Sequence, residues 1–327
     1  MEAGGSKAVI VVAFLCNLGI AVAKFAAAAW TQSSAMLSEA IHSLVDTSNQ
    51  LLLLLGIKRA AMPADAQHPF GYGKEIYFWS FIVAMVLFAL GAGVAIYEGI
   101  EKIRDPHPLH DVYVVYAVLL VAMGLEGYST AKAIGEFNKR RQRSGLGFIA
   151  ALRASKDPTL FAIVLEDLAA MAGLTIALVG TMVADFGGYQ QADGIASVMI
   201  GCVLGFVAIF MSSEIRSLIV GESVSSEVQA GLREIIAKEA GAGKPIRAIN
   251  DIRTMHLGPQ DVLVTASVDF EDRVSAQVVE EVTARLQTAI KARYPEVRNL
   301  FIEVQSEQAF SANKTPGNAR VAASPAH

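Results

Sequence analysis

Within Ser38-Glu39-Ala40-Ile41-His42-Ser43-Leu44-Val45-Asp46, three ionisable side chains recur at intervals that a helix turns toward one side. Positions i, i+3 and i+7 share a stripe at about 100° per residue, so His42 and Asp46, one turn apart, can reach a single ion. An imidazole beside a carboxylate suits a borderline divalent cation, zinc first, with cobalt, manganese, iron and cadmium after it. Alone, His42 reads equally well as a histidine hydrogen-bonded inside a helix bundle; Asp46 on the same face and Asp167 in another segment weigh against that reading. In the second cluster Glu166 and Asp167 are neighbours, about 100° apart on a helix, so only one of them faces the first cluster squarely. Glu39 is either a mouth residue or a group behind the ligands. Glu126 is either a proton relay or a hydrogen-bond partner within the bundle. Lys24 either neutralises one of these acids or snorkels, and the sequence leaves that choice open.

All of these residues interrupt apolar runs. A hydrocarbon core about 30 Å thick needs about 20 apolar helical residues to cross, and six segments qualify, near residues 8–30, 35–56, 76–97, 112–133, 160–184 and 195–211. A charge at that depth costs about 2.5–3.5 kcal/mol on insertion scales, so such groups face the bundle interior and mark function. The first run is longer than the apolar core of a signal peptide, and five more follow it. Charged residues make up only 18% of the 327-residue chain and mean hydropathy is +0.43, whereas soluble domains carry about 25% charge. Residues 1–222 hold 33 charged side chains, and residues 223–307 hold 23 in a much shorter stretch. That split describes a lipid-embedded body followed by a water-soluble domain.

Lys7, Lys58, Arg59, Lys74, Lys139, Arg140, Arg141, Arg143, Arg153 and Lys156 flank the spans on one side, against Lys102 and Arg104 on the other. An even number of spans with this bias puts both termini in the cytoplasm of a multi-pass protein of the inner (cell) membrane. A net charge of -4 leaves no basic footprint for nucleic acid. Cys16 and Cys202, both in apolar runs, exclude a disulfide scaffold and a cysteine zinc site. An intramembrane metalloprotease would need a run such as His-Glu-x-x-His, which is absent.

Beyond the spans the pattern changes. Val228, Leu232, Ile235 and Ile236 repeat with helical spacing over 226–240, and 241–245 stops that helix. Residues 248–256 and 261–270 alternate as strands around Gly258-Pro259, a second amphipathic helix covers 275–294, and 299–305 is a last strand. The αββαβ order predicts a small two-layer α+β domain. The expected division is therefore a transmembrane domain over 1–221, a cytoplasmic dimerisation domain over 222–307 and a disordered tail over 308–327.

At this point residues 34–46 and His68-Pro69-Phe70-Gly71-Tyr72-Gly73-Lys74-Glu75 resemble the cation diffusion facilitator family. So do Glu98-Gly99-Ile100-Glu101-Lys102-Ile103 and Ala192-Asp193-Gly194-Ile195-Ala196-Ser197, and residues 157–170 look most like the zinc transporter 9 branch. The resemblance covers about residues 6–306. It implies a homodimer of six-helix transmembrane bundles with a metallochaperone-like α+β domain, exporting zinc or a similar divalent ion against protons, with no resident cofactor. By that resemblance the transport site takes His42 and Asp46 from the second span. Its fifth-span pair falls on Asp167 and, four residues earlier, on Ile163, which cannot bind metal, so Glu166 is the candidate to compensate. The loop site of some bacterial members would map onto Asp65, His68 and Tyr72, where Tyr72 replaces a histidine; the other reading of His68 is a turn residue that anchors the loop. His256 is the only histidine in the folded soluble part, so no structural metal pair is expected there. The alternatives are a carrier selective for manganese, iron or cobalt, and a transport-inactive membrane scaffold.

Overall fold

The computed structural model describes residues 3–144, 147, 148, 151 and 156–313, in two compact units, Met1–Ile219 and Val220–His327. Arg153 of the basic loop and residues 314–327 of the expected tail lie outside the described residues. The first unit is helical: α1 (Ala3–Thr31), α2 (Ser34–Ala60), α3 (Glu75–Val86), α4 (Gly93–Arg104), α5 (Val112–Ser144), α6 (Pro158–Gly187) and α7 (Gln191–Val220). A π turn at Leu87–Ala92 joins α3 to α4, so the third span runs over Glu75–Arg104, further than the predicted 76–97. Four stretches, Glu75–Arg104, Val112–Gly135, Phe161–Gly187 and Gln191–Val220, are long and apolar enough to cross a membrane by length and composition. The predicted first and second spans correspond to α1 and α2, and α2 spends its inner face on polar groups.

Local chemistry sets the helix ends. Ser33 begins α2 by accepting from the Met36 amide at 3.0 Å, which satisfies one of the orphan donors of the first turn. Asp157 does the same for α6, accepting from the Thr159 amide at 3.2 Å, with Pro158 in the first turn where no donor is lost. Gly188, at φ +65°, ends α6 in the left-handed region that costs glycine little. In the bundle α2 packs against α1, α3, α4 and α6, while α5 packs against α1 and α6. At the crossing of α4 and α7, a Cβ built on Gly99 would stand 2.6 Å from the Gly194 carbonyl oxygen. Only glycine lets these two helices approach so closely.

The bundle is apolar outside as well as inside. Phe186, Phe206 and Ile209 are 79%, 73% and 61% exposed, while Lys24 and Glu39 are fully buried. In water that distribution would be costly; against lipid it is expected.

The second unit contains α8 (Ser226–Ala237), β1 (Ile246–Gly258), β2 (Asp261–Phe270), α9 (Ala276–Arg293), β3 (Val297–Val304) and α10 (Glu307–Ala312). Its sheet has the order β1-β2-β3, with β1 antiparallel and β3 parallel to β2. One face buries Val262, Val264, Ala266 and Val268 against Leu232 and Ile236 of α8 and Val282, Leu286 and Ile290 of α9. The αββαβ order read from the periodicities is present. β1 outruns the predicted 248–256 because register shifts, such as that between Ile249 and Asp251, let the ladder continue past irregular residues. Residues 307–312 depart from the structureless tail expected over 308–327. Ser306 caps this short helix, accepting from the Ala309 amide at 3.2 Å, and the Glu307 amide donates to Asp269 Oδ2 at 3.2 Å.

Candidate metal transport site

Helix α2 carries His42, Asp46 and Asn49 on one stripe, and α6 carries Glu166 and Asp167. His42 is 1% exposed at the side chain, and its Nε2 lies 3.5 Å from Asp46 Oδ2. Neither ring nitrogen has a hydrogen-bond partner, and neither does Asp46 Oδ1. Asn49 donates through Nδ2 to Glu166 Oε1 at 2.8 Å, joining α2 to α6. Ser129 of α5 donates to Asp167 Oδ2 at 3.1 Å. Asp46, Ser129, Glu166 and Asp167 meet along a cleft of about 350 Å³, walled also by Ser43 and Gln50 of α2, Glu126 of α5 and Ile163 of α6. Four carboxylates thus line one cavity inside an apolar bundle.

Of the predicted ligands, Asp46, Glu166 and Asp167 share the cleft, and Glu126 joins them on the α5 wall. His42 is not among the lining residues and reaches the cleft only through Asp46, 3.5 Å from its Nε2. In this conformation, among the described residues, no three His, Cys, Asp or Glu side chains are close enough together to hold a metal ion. Ile163 also lines the cleft and is 42% exposed, so the apolar residue faces the cavity where the family pattern has a ligand.

Glu39 and Lys24 form a separate pair. Lys24 Nζ donates to Glu39 Oε2 at 3.2 Å and to Ser43 Oγ at 2.8 Å. Of the two options the sequence left open for Lys24, the structure takes neutralisation. The other carboxylate oxygen of Glu39 packs where a Cβ on Gly173 of α6 would collide with it, so glycine there admits the acid between helices.

The loop residues are occupied with each other. Asp65 accepts from the Tyr72 hydroxyl at 2.6 Å and from the amides of Gln67 and His68 at 2.9 and 2.7 Å. The Tyr72 hydrogen bond, followed by the His68 amide, holds the Asp65 carboxyl below the usual carboxylate range. The His68 ring lies 4.3 Å from that of Tyr72, centroid to centroid.

No spacing in the sequence gives Asn49, Ser129 or Asp193 a chemical role. Asp193 of α7 is fully buried. It accepts from Ser33 Oγ at 2.5 Å, from the Ser34 amide at 2.6 Å and from Ser34 Oγ at 2.9 Å, so it caps the start of α2 from a different helix. The Ser38 and Ser197 hydroxyls meet at 2.6 Å, and Ser197 donates to the Ala95 carbonyl at 2.7 Å. Asp193 and Ser197 therefore position α2 from α7, and Gly99 sets the approach of α4 to α7.

Residues 10–220 match the cation efflux transmembrane domain. The chain is 30% identical, over 337 residues, to the mitochondrial proton-coupled zinc antiporter SLC30A9 of Homo sapiens, covering 92% of this chain and 59% of that protein. It is 29% identical to metal tolerance protein C4 of Arabidopsis thaliana, over 87% of this chain and 61% of that protein. It is 23% identical to the cation-efflux pump FieF of Serratia proteamaculans, over 82% of each. The chain thus spans about three fifths of the length of the first two. A domain match over most of a bundle built around buried acids, with relatives of this kind along nearly the whole chain, means that the chain belongs to the cation efflux family, in its zinc transporter 9-like branch.

Proposed function

We propose that the chain exports a divalent cation, zinc first, in exchange for protons, by exposing one intramembrane site alternately to the two faces. The observation that carries this reading is the cleft in which Asp46, Glu126, Glu166 and Asp167 face one cavity, with the unpartnered ring of His42 beside Asp46. Four acids in an apolar bundle are tolerable only if protons or a cation neutralise them in turn. A metal requires ionised carboxylates and a neutral imidazole, so proton and metal compete for the same atoms, and that competition is what couples their movements. His42, whose ring nitrogens can take either a proton or a metal, stands beside Asp46.

In this reading His42, Asp46 and Asp167 hold the ion, with Glu166 or water completing the set in the place that Ile163 leaves empty. The name of the human relative, a proton-coupled zinc antiporter, agrees with it. Both termini face the cytoplasm of an inner membrane, by the Lys and Arg bias of the loops. Two chains pair, with the α+β unit holding them together. A second reading, a carrier preferring manganese or iron, is favoured by Ile163: the loss of one ligand leaves an oxygen-rich set with a single imidazole.

Proteoliposomes loaded with a zinc indicator test the proposal. Asp46→Ala and Asp167→Ala should each abolish zinc flux driven by a proton gradient, and flux intact in either variant would refute the site.

A further inference from the structure

Glu166 sits three residues after Ile163 on the same side of α6, both line the cleft, and a neighbour on α2 holds its carboxylate there. Asn49 is that neighbour. It is fully buried, one turn beyond Asp46 on the same face of α2, and its Nδ2 donates to Glu166 Oε1 at 2.8 Å. The other half of its amide is unused: Asn49 Oδ1 is buried with no partner. An unsatisfied carbonyl inside a protein is costly, and within a bilayer there is no bulk water to satisfy it. A neutral amide oxygen is also a good ligand for hard and borderline divalent ions.

Resting on the transport reading above, the geometry points to Asn49 as a positioning and selectivity residue: its NH2 aims Glu166 into the cleft, and its carbonyl supplies an uncharged oxygen to the passing cation. Asn49 compensates on α2 for the ligand that Ile163 removes from α6. The harder the ion, the more it depends on that oxygen.

The test reconstitutes full-length wild type, Asn49→Leu, Asn49→Gln and Asp46→Ala, and measures zinc and manganese flux with KM and maximal rate separated, alongside thermal unfolding in detergent. Removing a residue that orients a metal ligand costs about ten- to a hundredfold in affinity. Asn49→Leu, close in volume, should raise KM by that factor, more for manganese than for zinc, with a smaller change in maximal rate per folded molecule. Asn49→Gln keeps the amide and should shift KM less, in the same order of metals. Unchanged KM values in Asn49→Leu, or an equal fall in maximal rate for both metals such as a packing defect gives, would overturn the assignment. Should Asn49→Leu not fold, the zinc-to-manganese KM ratio of Asn49→Gln decides: a shifted ratio supports the role and an unchanged one overturns it. Wild-type flux in Asp46→Ala would sink the transport reading and this inference together, whereas a dead Asp46→Ala beside an unaltered Asn49→Leu removes only the inference.

Discussion

Two buried polar clusters meet helix α2, and they differ in what is left over. Around Asp193 the accounts close: both carboxylate oxygens accept, and Ser33, Ser34, Ser38 and Ser197 all have partners. Around Asp46 they do not, because both nitrogens of His42, Asp46 Oδ1 and Asn49 Oδ1 are buried without a partner. A closed network inside an apolar bundle is a joint, since every donor and acceptor has already found its optimum. An open one holds unspent affinity, which is what a visiting cation requires. The Lys24 pair lies between them, with Glu39 Oε2 bonded and Glu39 Oε1 left over.

Substitutions in the three places should separate them by their effect on stability. The largest falls on the ion pair: Lys24→Met leaves Glu39 buried and uncompensated, and removing one partner of a buried pair costs about 3–5 kcal/mol. Thermal unfolding of the purified chain should show that loss, and Glu39→Gln in the same background should recover part of it. Next comes the joint. Asp193→Asn puts an NH2 group against donors, at a cost of about 1–3 kcal/mol for the unsatisfied groups, while zinc flux per folded molecule is retained. At the open cluster the sign reverses. Asp46→Leu replaces a group with an unmet acceptor by an apolar one, so the unfolding temperature should hold or rise while flux disappears. A marked destabilisation by Asp46→Leu would mean that the cleft is a joint as well, and the contrast would fail.

The smallest effect lies in the loop. Tyr72→Phe removes the main cause of the low Asp65 pKa, so carboxyl titration followed by NMR should move up toward the ordinary carboxylate range. Because the folded pKa is the depressed one, the contribution of this contact is present above about pH 4 and is lost as pH falls through the folded value. The variant should therefore lack that small contribution at neutral pH and lose less stability as the solution is acidified, the amides of His68 and Gln67 keeping the remainder.

Much of the architecture could be read from residues alone, because the signals are local. Apolar runs mark the spans, and Val262, Val264, Ala266 and Val268 alternate along β2. The His42–Asp46 stripe needs only the helical repeat. What escaped depends on partners far apart in sequence. Asn49 and Glu166 are 117 positions apart, and Ser33 and Asp193 are 160 apart, so no periodicity links them. For the same reason Lys24 had two readings until α1 met α2. The π turn at Leu87–Ala92 lies in an apolar stretch whose composition suits a regular helix equally well, and the helix at Glu307–Ala312 depends on contacts with β2 that composition does not encode.

The open cluster is most directly tested by titrating zinc into the purified full-length chain and into Asp46→Leu, in buffers of different ionisation enthalpy, so that protons released are counted with metal bound. Wild type should bind zinc and release protons as the carboxylates give them up, and Asp46→Leu should do neither. Equal zinc binding by the two proteins, or zinc binding by wild type with no proton released at any pH near neutral, would contradict it.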